Sequence, residues 1–219
     1  MRNIGLTLIS DAQSEPVSLS EAKALLAIDT LDTANDALIT ALIVASRKFC
    51  ENYTGRAFIT QTWDFFLDEL PSGSSGSLGW WDGVREGPLS LLTGAQGVIE
   101  LPKAPFQSLV SVTAYGTDDQ PSSFDITTLV QDPDSTPGRI FPKIGTLWPV
   151  NLRYKKAIQV RFKAGYGDSS SSVPADLIQA IKLMMAHFFE NRQIMIESRV
   201  SEAPLSARAL LDHYKVRSL

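Results

Sequence analysis

The sequence predicts an α+β fold: a small helical bundle, N-terminal helices plus a long C-terminal helix, with an inserted antiparallel β region and a C-terminal tail. Three observations carry that expectation. Residues 38–53 and 177–188 place apolar side chains at three- and four-residue spacing, the mark of helices with one buried face. The stretch between them alternates apolar and polar residues with period two and is cut by Gly, Pro and Asp turns. After Gln193 the sequence changes character. One domain is expected over 1–219, with 15–56 and 173–197 as the bundle, 57–168 as the inserted β region and 198–219 as a docking tail.

The first residues, MRNIGLTLISDAQSEP, lack a sustained apolar segment with a cleavage site and read as an arm. Ser18 and Glu21 in SLSEAKALL then form a capping-box pattern, with Val17 just before the cap, and predict a short helix from about Leu19 to Ala27. IDTLDTAND is a polar turn in which Asp32, Thr33 or Asn35 caps the next helix. That helix carries Leu38, Ile39, Leu42, Ile43, Ser46, Phe49, Cys50 and Tyr53 on one face, and Gly55 stands where a left-handed residue ends it. In ITQTWDFFLDEL, Ile59, Trp63, Phe65 and Leu67 alternate with Thr60, Thr62, Asp64 and Asp68, as in a half-buried strand.

A long Gly- and Ser-rich loop follows from about Pro71 to Gly97, with Trp80 and Trp81 near its middle. Two readings stay open for the tryptophans: they fold back on their own subunit, or they anchor a neighbouring protein. VIELP, LVSVTAYG, FDITTLV, RIFP and AIQVRFKAGYG are strand material separated by turns, which implies an antiparallel sheet or small barrel. In the last of these, Ile158, Val160 and Phe162 alternate with Gln159, Arg161 and Lys163. GYGDSSSS then leads to Pro174, suited to a first helical turn, and Asp176, which places negative charge at the positive end of the helix dipole. From Pro174 to Gln193 the helix would span roughly 30 Å. Its stripe, Leu177, Ile181, Met184 and Phe188, is expected to pack on the stripe of residues 38–53. Pro204 ends any continuation, and PLSARALLDHY predicts a short helix adding little to the core, with Leu205, Leu210 and Tyr214 as candidate interface residues.

Composition narrows function by exclusion. A chain of 219 residues with 44% hydrophobic and 20% charged content is expected to fold, and its apolar runs are too short to span a bilayer. One cysteine, Cys50, excludes an internal disulfide and falls on a helix face, where a small core residue is expected rather than a nucleophile. The net charge of −4 argues against sequence-specific nucleic-acid binding, because phosphate neutralisation dominates such affinity. The dense basic clusters are Arg153, Lys155 and Lys156, and at the end Arg208, Lys215 and Arg217. His187 and His213 belong to no metal-spacing pattern, and no phosphate loop, nucleophile elbow or dinucleotide fingerprint occurs. GYGDSSSS could cradle an anion at a helix N-terminus, yet it lacks the lysine and spacing of a phosphate loop and reads better as a connector. No catalytic residue, cofactor or metal is expected.

Taken together, EPVSLSEAKALLAID, DALITALIVASRKFCENYTGRAFITQTW, IELPKAPFQSLVSVTAY, PGRIFPKIGTLWP, IQVRFKAGYG and VPADLIQAIKLMMAHFFENRQ resemble, in collinear order, bacteriophage head–tail connector (adaptor) proteins of the gp6-like and phiE125 gp8-like group. PLSARALLDHYKVRSL is similar to the family's C-terminal end. YTGRAFITQTW and FKAGYG…VPADLIQAI are the most specific blocks. The arm before Glu15 and the Trp80–Trp81 loop lie outside the resemblance.

The resemblance implies a virion structural protein of the neck, made in the bacterial cytoplasm and without catalysis. It implies a homo-oligomeric ring, commonly a dodecamer, on the portal protein. Such a ring meets a stopper or tail-completion protein and lets genomic DNA pass without sequence-specific binding. It also implies that the segment after Arg199 docks on the portal or on a neighbour. The alternatives are another neck component, such as a stopper or tail terminator, or a cellular protein-interaction module built on the tryptophan loop. No membrane contact is expected.

Overall fold

Residues 5–70, 97–149, 151–191 and 204–216 are described by the structure, a computed structural model. Chain packing divides them into two compact units. The first takes Met1–Ser10 with Thr62–Ala164, and the second takes Asp11–Gln61 with Gly165–Leu219.

The second unit is helical, and local sequence sets its elements. Helix α1 (Leu19–Leu25) starts at a complete capping box: the Ser18 side chain accepts from the Glu21 amide, and the Glu21 carboxylate accepts from the Ser18 amide. Helix α2 (Asp36–Thr54) ends at Gly55, whose φ of 72° is the left-handed value that lets a helix stop without a Cβ penalty. Asn35 occupies the cap position of α2 without a side-chain cap bond. Helix α3 (Ala175–Glu190) begins after Pro174 and stops short of the Gln193 end read from the sequence. The paired apolar stripes meet as expected. Ile39, Ile43 and Cys50 of α2 share one core with Leu177, Ala180, Ile181, Met184 and Met185 of α3, and Phe49 sets its ring edge-on to Phe188. Burying each of the isoleucine, leucine and methionine side chains contributes about 1.5–3 kcal/mol.

Helix α4 (Leu205–Asp212) corrects the expectation that the tail adds little to the core. Ala207 and Leu211 are fully buried in the α2–α3 core, and Leu210 and Tyr214 pack against it. Beyond the helix, the Val216 amide donates to Thr54 O at 2.8 Å, so the end of the described chain is tied to the end of α2. GYGDSSSS is more constrained than a plain connector. Gly165 has φ 141°, and a Cβ there would lie 2.7 Å from the Ile59 carbonyl and the Thr60 nitrogen. That close approach lets Tyr166 donate to Phe58 O and Thr60 donate to Gly167 O, a short ladder no larger residue would permit.

The first unit is a sheet structure. Its five-stranded antiparallel sheet has the order β1-β2-β8-β4-β5. These strands are β1 (Gly5–Ser10), β2 (Gln61–Leu67), β4 (Phe106–Tyr115), β5 (Pro121–Phe124) and β8 (Ile158–Ala164). A second, three-stranded sheet of order β3-β7-β6 is built from β3 (Ile99–Glu100), β6 (Leu129–Asp132) and β7 (Arg139–Pro142). The arm read at the N-terminus is therefore corrected over Gly5–Ser10: it is an edge strand, with Leu6 opposite Phe65 and Leu8 opposite Trp63. Alternation in β8 holds, with Ile158, Val160 and Phe162 buried and Gln159 and Arg161 turned to the other face. There they meet Asp64 of β2: Arg161 donates through Nε and Nη2 at 2.7 and 2.8 Å, and Gln159 donates at 2.7 Å. This bidentate pair makes Asp64 buried where the pattern expected an exposed polar position. Trp148 is buried too, its indole N–H donating to Gly97 O at 3.0 Å.

Candidate interaction site

Burial pushes the Cys50 thiol up to about 12, helped by the neighbouring Glu51 charge, so no thiolate forms near neutral pH. Among the described residues no group of three His, Cys, Asp or Glu is placed to hold a metal ion. Among the described residues no helix is long and apolar enough to cross a membrane.

Among its described residues the helical unit contains a buried charged cluster that sequence reading missed. Arg47 is 1% exposed, on the same face as Ile43 and Cys50. Its guanidinium donates to Glu15 at 2.8 and 3.2 Å, to Asp11 at 3.2 Å and to Glu51 at 2.9 Å. Glu51 in turn accepts from the Phe58 amide and from Gln61. Burial lowers the arginine's affinity for its proton, but Glu15, Glu51 and Asp11 together outweigh it and push its pKa up. At Asp11, burial pushes the carboxyl up, while the Ala12 amide, Lys48 and Arg47 overcome it and hold it below the usual range. The cluster pins Asp11 and Glu15, just after β1, to the middle of α2. Its charges satisfy one another around a buried guanidinium, which makes it a clamp.

Of the five interface residues expected from the sequence, Trp80 and Trp81 lie outside the described residues. The other three separate. Leu205 is 81% exposed at the start of α4. Leu210 is half-buried against the core. Tyr214 is held inward: its hydroxyl donates to Asp176 at 3.3 Å, its carbonyl accepts from Arg56, and the Arg56 guanidinium lies 5.9 Å from its ring centre.

Leu31, Ile144 and Tyr154 reach further into solvent, and each sits on a stapled loop. In the turn between α1 and α2, Leu31 is 87% exposed. Beneath it the ammonium of buried Lys23 donates to Thr30 O at 3.2 Å and Asp32 O at 2.8 Å, and pairs with Asp36 at 2.5 Å. Asp29 and Asp32 accept from the amides of Leu31 and Ala34. In the loop before β8, Tyr154 is 94% exposed. Its neighbours are fixed: Arg153 donates twice to Lys156 O at 3.1 and 2.8 Å and lies 4.1 Å from the Tyr115 ring centre. Lys155 and the Lys156 amide both bond Asp68, whose carboxyl is held below the usual range chiefly by that amide. In the loop after β7, Ile144 and Leu147 project from a turn closed by Thr146 N–H to Lys143 O. A signal for these tips existed in the sequence: an apolar residue standing outside any period, in LDTAND, in RYKK and in KIGTL.

No protein-family model matches the chain, and no curated protein matches it. Solved structures do. A chain in "Neck of empty GTA particle computed with C6 symmetry" is similar with TM-score 0.74 at 19% identity, covering 98% of this chain and 97% of that one. A chain in "Virion of native gene transfer agent (GTA) particle" gives 0.72 at 18%, covering 98% and 96%. A chain in "Neck of native GTA particle computed with C12 symmetry" gives 0.63 at 19%, covering 98% and 97%. At these identities the likeness is one of fold.

Proposed function

We propose that this protein is a structural, non-catalytic component of the neck of a tailed-phage-like particle. In this reading it forms the connector ring beneath the portal, extends the DNA channel and joins the capsid to the stopper or tail-completion protein. The observation that carries the reading is the end-to-end likeness of fold to neck chains of gene transfer agent particles, covering 98% of this chain. Collinear sequence blocks that resemble head–tail connectors point the same way. The net charge of −4 suits a channel through which DNA passes without strong phosphate binding. A twelve-fold connector ring and a six-fold stopper or terminator ring are both compatible with the C12 and C6 neck structures to which the chain is similar.

The experiment is assembly on purified portal, followed by native mass spectrometry and electron microscopy. A ring of twelve copies stacked on the portal supports the connector. Six copies that join only after another neck protein has bound support the stopper. A chain that stays monomeric and ignores portal and neck proteins at high concentration refutes both.

A further inference from the structure

The two loops stapled around Leu31 and Tyr154 are opposite in charge. The Leu31 turn sets the carboxylates of Asp29, Asp32 and Asp36 against the single ammonium of Lys23, which is buried beneath them. The Tyr154 loop sets Arg153, Lys155 and Lys156 against Asp68 and Asp119. We propose that the Tyr154 loop of one copy docks on the Leu31 turn of the next copy of this chain. The inference rests on the proposed ring and names the surfaces that join its subunits.

Charge complementarity selects the pairing. Like loops repel, so a two-fold contact of Tyr154 loop on Tyr154 loop is disfavoured, whereas basic on acidic attracts. The loops lie on different units, and each apolar tip is almost fully exposed, so neither is covered by the described residues of its own chain. Every copy therefore offers one loop of each kind, the requirement for a head-to-tail contact that repeats and closes into a ring. Stapling matters as much as charge. Arg153, Lys156 and Asp68 hold the basic loop, and Lys23 holds the acidic turn, so little loop entropy is lost on docking. Duplex DNA would meet the same basic groups, and DNA binding lost in Tyr154→Ser is the outcome that would reveal it. The Ile144–Leu147 tip is flanked by Lys143, which donates to Thr127 O, and no opposite charge marks its counterpart.

Disulfide trapping with the full chain tests the contact. Tyr154→Cys and Leu31→Cys are introduced singly and together; Cys50 stays, since it is buried. Under mild oxidation at high concentration, mixing the two single variants should yield cross-linked dimer at roughly tenfold the level of either alone or of Tyr154→Cys mixed with Leu205→Cys. The double variant should yield a ladder. In sedimentation velocity, Tyr154→Ser and Leu31→Ser should each weaken self-association roughly tenfold with unchanged melting temperature. Raising salt from about 0.05 to about 0.5 M should weaken it further. No excess cross-link, or variants that associate like the parent, overturns the proposal. So does duplex-DNA binding that is lost in Tyr154→Ser without any cross-link. Rings on portal that are unaffected by Tyr154→Ser would remove this contact and leave the neck reading standing. Cross-links without portal attachment would do the reverse.

Discussion

Replacing Arg47 by methionine asks how far the buried ionic cluster holds the helical unit together. Methionine keeps an unbranched apolar stem and removes the charge. Three carboxylates then lose their shared cation, but not equally. The side chains of Asp11 and Glu15 are 34% and 26% exposed and can recruit water, while Glu51 at 7% cannot. The cost therefore falls on Glu51, which keeps the Phe58 amide and Gln61 as donors. Deleting one partner of a buried pair costs about 3–5 kcal/mol, and rehydration of the two outer carboxylates places this case near the lower end. At about 2–4 °C per kcal/mol for a chain of this size, the unfolding transition of the helical unit falls by about 6–12 °C.

The assay is urea denaturation followed by far-UV circular dichroism, with calorimetry alongside. The expected result is a lowered midpoint at unchanged m-value. Adding Glu51→Gln should recover about 1–3 kcal/mol of the loss, because the stranded charge is then gone. Acidification supplies a sign check. The Asp11 carboxyl is held below its ordinary value in the folded state, so its contribution is present above about pH 4 and fades as pH falls through the lower folded value. Arg47 is one cause of that depression, so the gap between parent and variant should narrow in acid. A loss under about 1 kcal/mol, or a double variant as unstable as the sum of the singles, refutes the account of a clamp centred on Glu51.

Gly165→Ala should cost about 3 kcal/mol or more in urea midpoint, since the new methyl meets backbone rather than a movable side chain; stability equal to the parent would deny the close approach. Leu211→Ala should cost about 2–5 kcal/mol, and truncation before Pro204 should lower the helical unit's melting temperature rather than merely abolish docking. A truncated chain with parental stability would return α4 to the status of a loose tail. In the sheet unit, Arg161 chiefly, with Gln159, holds the Asp64 carboxyl below its ordinary value. Its stabilisation is complete above about pH 4 and is lost as pH falls through the folded value. Asp64→Asn should therefore be less stable than the parent at neutral pH, with a difference that shrinks by about pH 3 in urea midpoints; a difference independent of pH would mean the charge contributes nothing.

What could be read in the sequence was what depends on near neighbours. The capping box at Ser18, the left-handed stop at Gly55 and the stripes of α2 and α3 are each set within a turn or two, and each appears where local pattern put it. Arg47 escaped because its meaning comes from afar. An arginine between Ile43 and Cys50 reads as a solvated interruption until Glu15 and Asp11 arrive from 32 and 36 residues away. Strand β1 escaped for the same reason, since a six-residue alternation becomes a strand only when β2 pairs with it. Gly165 was legible as a glycine but not as a necessity, because its constraint is the backbone of Ile59 and Thr60.

Leu210 and Tyr214, expected as interface residues in or just after a short helix, are both half-buried against the helical core. An apolar residue in phase with its neighbours is in phase because a core face selects it, so periodicity finds packing. Leu31, Ile144 and Tyr154 stand in no period and are more exposed than Leu205, the most exposed apolar residue of that helix. Their exposure is no accident of slack loops, because Lys23, Lys143 and Arg153 fix the backbone beneath them. A backbone held rigidly in place has already lost the loop entropy that docking would otherwise cost. For a protein whose proposed work is to join others, the out-of-phase apolar residue on a stapled turn is therefore the better guide to the working surface than the helix stripe.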